Sequence, residues 1–488
     1  MALKLAAVFH FNQSTTERIR VADRAAYRGL LSVLRSHPDL KFNLHLSGTL
    51  LRGLAWLSPD TLDLVRAGLA DGQFSLLGGL HAQNVAYVSD DRDNRLQLQV
   101  HARVLQELLG VRPRVYWNPE RTWRDSLLPL LTEAGYDVML LEDRTLRAAG
   151  VTAPTPVRVT GEGGAVNAVC DDTALRERFN WAVWYGRDGE LWRYLDEQQE
   201  RARSAAHWLT YAEDAEAMGL WGWEAGYLPQ SHWAGLDKVL GEFETREWAF
   251  EHLASVKARQ EVTAVPETAA GWMDRAAVDP AARYHEDGYS SYFDFASRSP
   301  KLNYFRKLYT VVRASFAETE SVLAAVPAEA KRPPASPAAA RFVSLAEEVY
   351  AAHQYEFGCI GIGGREYWPW ENVRNTFLYL RLAQLADDST PRRWIEDLNG
   401  DGNDEQLWSD GRQLAMFTGY GGRLLGWFDL KRGSVWVGNP LAMPRARYLD
   451  GASAHPKLRE EAPRWLPDGS EADLRPFKSL RTKEPAPP

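Results

Sequence analysis

The chain reads as an α/β protein: an incomplete seven-stranded (β/α) barrel, followed by a helical domain and a small C-terminal β-rich region. Three observations predict this. Over the first 260 residues short apolar runs alternate with longer amphipathic segments, the pattern of parallel strands joined by helices. Seven of the apolar runs pass directly into polar or glycine residues, as strands do where they reach the active face of a barrel. From Trp394 onward the texture changes to short, glycine-punctuated runs.

The seven expected strands are residues 3–11, 42–46, 74–77, 114–117, 138–141, 166–170 and 208–211. Between them, residues 16–36, 94–109 and 190–204 carry apolar side chains at three and four spacing among Ala, Leu, Arg and Glu, and so read as outer helices. Residues 292–325, 341–350 and 372–386 read as further helices, with the Pro, Ala and Lys-rich stretch 326–339 as a flexible connection. Short strands are expected at 413–418, 423–428 and 434–438, and the tail from Pro463 is polar and proline-rich. The expected domains are thus 1–260 (barrel), 261–390 (a helical domain completing the active-site cleft) and 391–488 (a small β-rich region with its tail).

Composition narrows the partners. A net charge of -8, with no basic run, argues against nucleic acid or an anionic membrane and fits a neutral substrate. Two cysteines, Cys170 and Cys359, are too few for a disulfide framework and lack metal-ligand spacing, so buried thiols in a reducing compartment are expected. No segment reaches the eighteen or so apolar residues of a membrane span, and Met1 to Phe11 has no cleavage-like site, so the expectation is a cytoplasmic protein. Nineteen tryptophans stand out, because an indole face matches the C–H face of a pyranose while its N–H can still find a partner. Many of them belong to the core.

Chemistry is sought where the strands end. The ends carry His10 to Gln13, Gly78 to His81, Glu120, Glu142 and Asp143, Asp171 and Asp172, and Glu213 to Glu216, a set rich in carboxylates and amides. No Gly-x-Ser-x-Gly elbow and no phosphate loop occur, which removes serine hydrolase and nucleotide chemistry. Gly78 and Gly79 read as a tight turn. His10, His45 and His81 lack paired metal spacing, and His10 is read as a partner of sugar hydroxyls. Asp397, Asn399 and Asp401 resemble the opening of a calcium loop, but Trp408 stands where the twelfth-position glutamate belongs, so an Asx turn is expected and neither metal nor other cofactor is assigned.

The stretch Val115 to Trp123 is the anchor of the reading. An apolar run breaks at Pro119 and presents Glu120 between the indoles of Trp117 and Trp123. We read Glu120 as a nucleophile and the indoles as a sugar platform; the alternative is a glutamate that caps the following helix. Glu213, Asp214 and Glu216 likewise suit an acidic first turn of a helix as well as a catalytic cluster.

Here the chain resembles glycoside hydrolase family 57, of the 4-α-glucanotransferase and α-amylase type. Trp117-Asn118-Pro119-Glu120-Arg121-Thr122-Trp123 is similar to the family's nucleophile motif, and Glu213-Asp214-Ala215-Glu216-Ala217-Met218-Gly219-Leu220-Trp221 to its acid/base motif. Supporting matches are His45 to Leu51, Gly78-Gly79, Tyr292 to Lys307, and Gly363-Gly364 with Tyr367 to Pro369, so that residues 1 to 430 are covered in family order. Two departures stand out: Asn12 replaces the second histidine of His-x-His-Gln, and Gln354 to Cys359 lacks the family's Trp-His. The resemblance implies a retaining α-1,4-glucan-processing enzyme in which Glu120 attacks the anomeric carbon and Asp214 is the acid/base, with His10, Gln13, Trp117, Trp123, Glu216 and Trp221 as substrate-binding residues. Asp214 must then titrate above its ordinary value of about 3.9, with Glu213, Glu216 and Glu120 as the expected cause. Segment transfer is the expectation, an α-amylase or branching activity on the same pair the alternative. A non-catalytic carbohydrate-binding protein would leave the match to both motifs unexplained.

Overall fold

The computed structural model describes residues 3–14, 16–151, 154–202, 207–258, 260–263, 265–268, 288–298, 300–324, 336–355, 369–399, 404–418 and 424–438. Contacts divide the chain into two units, 1–274 and 275–488.

The first unit is a barrel. Its strands are β1 (Lys4–Phe11), β2 (Phe42–Leu46), β3 (Phe74–Leu77), β4 (Val115–Tyr116), β5 (Val138–Glu142), β6 (Val157–Gly161), β7 (Gly164–Asp171) and β8 (Trp208–Asp214). Seven of them run parallel in the order β3-β2-β1-β8-β7-β5-β4. A parallel bridge from Gly78 to Tyr116, with Gly78 N donating to Val115 O at 2.8 Å and Trp117 N to Gly78 O at 3.0 Å, joins β3 to β4 and closes the ring. The strands are apolar on both faces because helices cover the outside and side chains fill the inside: every residue from Leu5 to Phe11 is buried. Ala6, Val8, Val115, Trp117, Val138, Leu140, Val169, Trp208 and Ala212 form one cluster drawn from most of the barrel strands. Their period of two marks the inward face.

The expected strands and outer helices recur with local differences. Residues 16–36 form a helix Thr16–Ala22, a π turn Asp23–Tyr27 and a second helix Arg28–Arg35. β6 was not expected; it pairs antiparallel with β7 and parallel with β9 (Gln260–Val262), a hairpin grafted on the barrel whose alternation is too short to stand out from its flanks. Gly79 is required by crowding: a Cβ there would meet His45 Nε2 at 2.2 Å and Trp117 O at 2.8 Å.

In the second unit, the expected helix 292–325 is broken into Tyr292–Arg298 and Pro300–Ala324, since Pro300 cannot continue a helix through its own first turn. The connection expected at 326–339 ends sooner than read: a helix runs Pro337–His353, with Ser336 accepting from Ala339 N at its start, and Pro at the first position suits a helix that lacks partners for its first N–H groups. It packs on the helix Pro369–Leu385. The five strands β10 (Arg392–Glu396), β11 (Glu405–Ser409), β12 (Gln413–Thr418), β13 (Leu424–Asp429) and β14 (Ser434–Gly438) form an antiparallel sheet in chain order. Cys359, Gly358 to Gly364, Tyr367, Trp368, the Asp401-Gly402 end of the calcium-like stretch and the tail from Pro463 lie outside the described residues.

Candidate active site

The turn after β4 is built by Asn118. Its Oδ1 accepts from Glu120 N at 3.2 Å, its Nδ2 donates to Thr122 Oγ1 at 2.8 Å, and its carbonyl accepts from Arg121 N at 2.8 Å. An asparagine side chain that mimics a backbone turn, followed by a proline with fixed φ, is a local reason for the chain to reverse here. Arg121 completes the reversal in the left-handed region, φ 54°. The strain is compensated by the guanidinium. Arg121 Nε donates to Asp171 Oδ2 at 2.7 Å, Nη1 to Pro119 O at 3.1 Å and Nη2 to Ala212 O at 3.0 Å, and the group lies 5.6 Å from the Trp117 ring centre. One side chain thus ties the β4 turn to β7 and β8.

Glu120 leaves this turn buried, and Gln83 Nε2 donates to its Oε1 at 2.8 Å. The turn therefore presents the carboxylate inward instead of capping a helix: the next helix, Leu127–Glu133, starts seven residues on, after Ser126.

β8 delivers the second group. Trp208 and Ala212 point into the barrel, so Asp214 does too, and it is the Cα partner of His10 on β1. Glu213, on the opposite face, is fixed by Asn180 Nδ2 at 2.9 Å and accepts from Asp214 N at 3.0 Å. Burial pushes the Asp214 carboxyl well above its ordinary range; the negative charges of Glu213, Glu216 and Glu120 push it the same way, and Arg121 opposes them. Glu216 sits in the single turn Ala215–Met218 beyond the strand, where Gln13 Nε2 donates to its Oε1 at 2.8 Å and Tyr27 Oη donates to the same oxygen.

The histidines form a buried wall beside this pair. His10 Nδ1 and His45 Nδ1 are 2.7 Å apart, and both rings meet Trp117 edge to face. Burial lowers His10 to about 3, helped by Arg121 and opposed by a hydrogen bond to Gln83, so the ring is neutral. His45 and His81 are lowered too, mainly by burial. Neutral imidazoles both donate and accept, which suits hydroxyl groups. Among the described residues no three His, Cys, Asp or Glu side chains are grouped so as to hold a metal ion.

The structure brings Glu120, Asp214, His10, Gln13, Glu216 and Trp117 to one end of the barrel. Two tryptophans differ from expectation in kind. Trp123, expected on the sugar platform, is 1% exposed and packed among Tyr116, Leu127 and Leu131, because its backbone pairs with Thr268 and turns the indole into the core. Trp117 is also 1% exposed and packs on the histidines. Trp221, on the short helix Leu220–Glu224, is 40% exposed and available to a ligand. The other strand-end acids have tasks of their own: Asp172 caps the helix Thr173–Tyr185 through Leu175 N, and Asp143 accepts from Arg147 and Thr173. Gln83 was missed as a site residue, while Arg121 stood in the sequence only as part of the nucleophile motif and Asp171 only as a strand-end acid. The Gly78-Gly79 turn was the one signal pointing to Gln83.

Two carboxylates set at the C-terminal rim of a closed parallel barrel define the class of carboxylate-bearing (β/α) barrels. Residues 14–231 match the model of glycosyl hydrolase family 57. It is 26% identical over 208 residues to an α-amylase of Pyrococcus horikoshii, covering 42% of this chain and 31% of that protein. It is 25% identical over 198 residues to a 4-α-glucanotransferase of Thermococcus litoralis, covering 40% and 29%. The matched segment thus spans about a third of these relatives. Among solved structures, the 4-α-glucanotransferase from Thermococcus litoralis superposes with a TM-score of 0.60 at 18% identity, covering 89% of this chain and 68% of that one. A branching enzyme of the same family from Pyrococcus horikoshii gives 0.56 at 13% identity, covering 78% and 90%. At these identities the structural likeness is one of fold.

Proposed function

We propose that the chain is a retaining α-1,4-glucan-processing enzyme that transfers glucan segments, a 4-α-glucanotransferase, through a covalent glycosyl-enzyme. Glu120 is the nucleophile and Asp214 the acid/base. The observation that carries this is the placing of two carboxyl groups, on the turn after β4 and at the end of β8, at one end of the barrel and close enough for Glu120 to act on Asp214. Burial, and neighbouring charge that includes Glu120, push the Asp214 carboxyl well above its ordinary range, while Glu120 is held in place by a hydrogen bond from Gln83 Nε2. Glycoside cleavage with retention needs two carboxyl groups flanking the scissile bond, one as acid and one as nucleophile.

In the first step Glu120 forms a bond to the anomeric carbon as the glycosidic C–O bond breaks, and the Asp214 proton goes to the leaving oxygen. In the second, Asp214 takes a proton from an acceptor hydroxyl, which displaces Glu120 and restores both groups. His10, the Cα partner of Asp214, and Gln13, hydrogen-bonded to Glu216, serve as partners for sugar hydroxyls. Trp117 backs the histidines, Glu216 is braced by Gln13 and Tyr27, and the exposed Trp221 is the stacking surface on the acceptor side. The substrate is an α-glucan, as the names of the matched relatives suggest.

Incubation with maltotriose tests the reading. Transfer gives a ladder of longer and shorter maltooligosaccharides with little gain in reducing ends. A steady rise in reducing ends, with no product longer than the substrate, makes the chain an α-amylase on the same pair. A product with new branch points makes it a branching enzyme.

A further inference from the structure

The sheet β10–β14 has two unlike faces. Leu407, Leu414, Met416 and Phe428 point into the core of the second unit, so the residues between them point out. On the outer face one row crosses all five strands in register: Arg393 opposite Trp408, Trp408 opposite Ala415, Ala415 opposite Trp427, Trp427 opposite Val437. Trp408 and Trp427 are 47% and 38% exposed, large values for indoles in a sheet. They flank a groove of about 510 Å³ whose floor is Ala415, within the range of small-ligand sites, about 300–1,000 Å³.

We propose that this groove is a second α-glucan-binding site, remote in sequence from the catalytic carboxylates; the assignment of α-glucan rests on the function proposed above. Two strand spacings separate the backbones of Trp408 and Trp427, about 10 Å in all. A pyranose between two walls at van der Waals distance needs about 8 Å. The alanine leaves that width open at its floor, where any larger side chain would fill it. The walls are fixed: the Arg393 guanidinium stacks on the Trp408 ring at 4.3 Å, Trp427 Nε1 donates to Gln413 Oε1 at 3.0 Å, and Trp436 packs edge-on against Trp427 at 5.3 Å. Polar groups edge the same groove: Arg393 is a donor, and Asp410, anchored by the backbone N–H groups of Arg412 and Gln413, is an acceptor. Arg392, which also lines the groove, is paired with Asp388 at 3.0 Å, so indole walls with a donor and an acceptor at the rim match a neutral ring with hydroxyl groups at its edges. A phosphate backbone would call for a cationic excess, and a flat protein surface does not enter a slot one residue wide.

Electrophoresis of the full chain through gels containing amylopectin, with dextran gels as control, tests this. The unsubstituted protein is expected to be retarded by amylopectin and not by dextran. Trp408→Ala and Trp427→Ala should each weaken amylopectin binding about tenfold, and Ala415→Leu should do so while keeping both indoles. All three should keep an unchanged melting temperature and wild-type turnover of maltotriose, because none of the three residues belongs to the catalytic machinery. Equal retardation of wild type and variants, equal retardation by dextran, or loss of a dimer in the tryptophan variants by sedimentation, which would make the face an interface between copies, overturns the proposal. Failure of the unsubstituted protein to process maltotriose would instead overturn the catalytic reading and leave the binding result to stand or fall by itself.

Discussion

Gln83 holds Glu120 from a backbone conformation that glutamine rarely adopts: its Nε2 lies 2.8 Å from Glu120 Oε1, and its φ is 53°. Left-handed geometry at a non-glycine residue costs on the order of 1 kcal/mol and persists where the surroundings enforce it. Gln83→Gly removes the hydrogen bond and the strain together. Its melting temperature should equal or exceed wild type while kcat falls roughly 10- to 100-fold, the equivalent of losing one hydrogen bond to a charged group, about 1.5–3 kcal/mol, with KM little changed. A parallel loss of stability would show Gln83 to be a structural residue only.

Glu120→Gln should abolish nearly all activity and leave the melting temperature close to wild type, because the amide keeps the shape of the buried group. Retention of more than a few per cent of wild-type turnover would make Glu120 a binding residue.

The pH profile of kcat/KM should fall on its alkaline side as Asp214 loses its proton. Because its carboxyl is raised, that limb lies above the ordinary carboxylate range near 4. Glu213 is the first of the charges that raise it. Glu213→Gln removes a negative charge, so Asp214 ionises more readily and the alkaline limb moves to lower pH. A limb that stays in place would assign it to another group.

Arg121→Met should be the most damaging of these changes to the fold. Asp171 is fully buried beside the guanidinium, and deleting one partner of a buried ion pair costs about 3–5 kcal/mol, since the carboxylate is left with only the more distant Arg176 Nη1 at 3.8 Å. Chemical denaturation of wild type and variant reads this directly. A loss under 1 kcal/mol would mean that Arg176 or water takes over the carboxylate.

Trp221→Ala should lower the ratio of transfer to hydrolysis on maltotriose more than it lowers total turnover, because the exposed ring is the surface on which an acceptor would stack in place of water. An unchanged ratio would place acceptor binding elsewhere.

The seven parallel strands, and the acids at their ends, were legible in the sequence because a strand covered on both faces is an unbroken apolar run, and the first polar residues after it mark the rim. The turn chemistry of Asn118-Pro119-Glu120 was equally local. What tertiary structure decided is which side of that rim each residue faces and what lies across from it. Gln83 and Glu120 are 37 residues apart, and Arg121 and Asp171 are 50 apart, so no spacing rule joins them. Closure of β3 against β4 brings the first pair together, and the order of β7 and β8 the second. Trp123 shows the converse. Its place beside a catalytic motif suggested a sugar platform, but its backbone pairing with Thr268 commits the indole to the core. The residue type determined that the ring would be buried against something; only the register of a distant segment determined that it would be leucine and tyrosine rather than substrate.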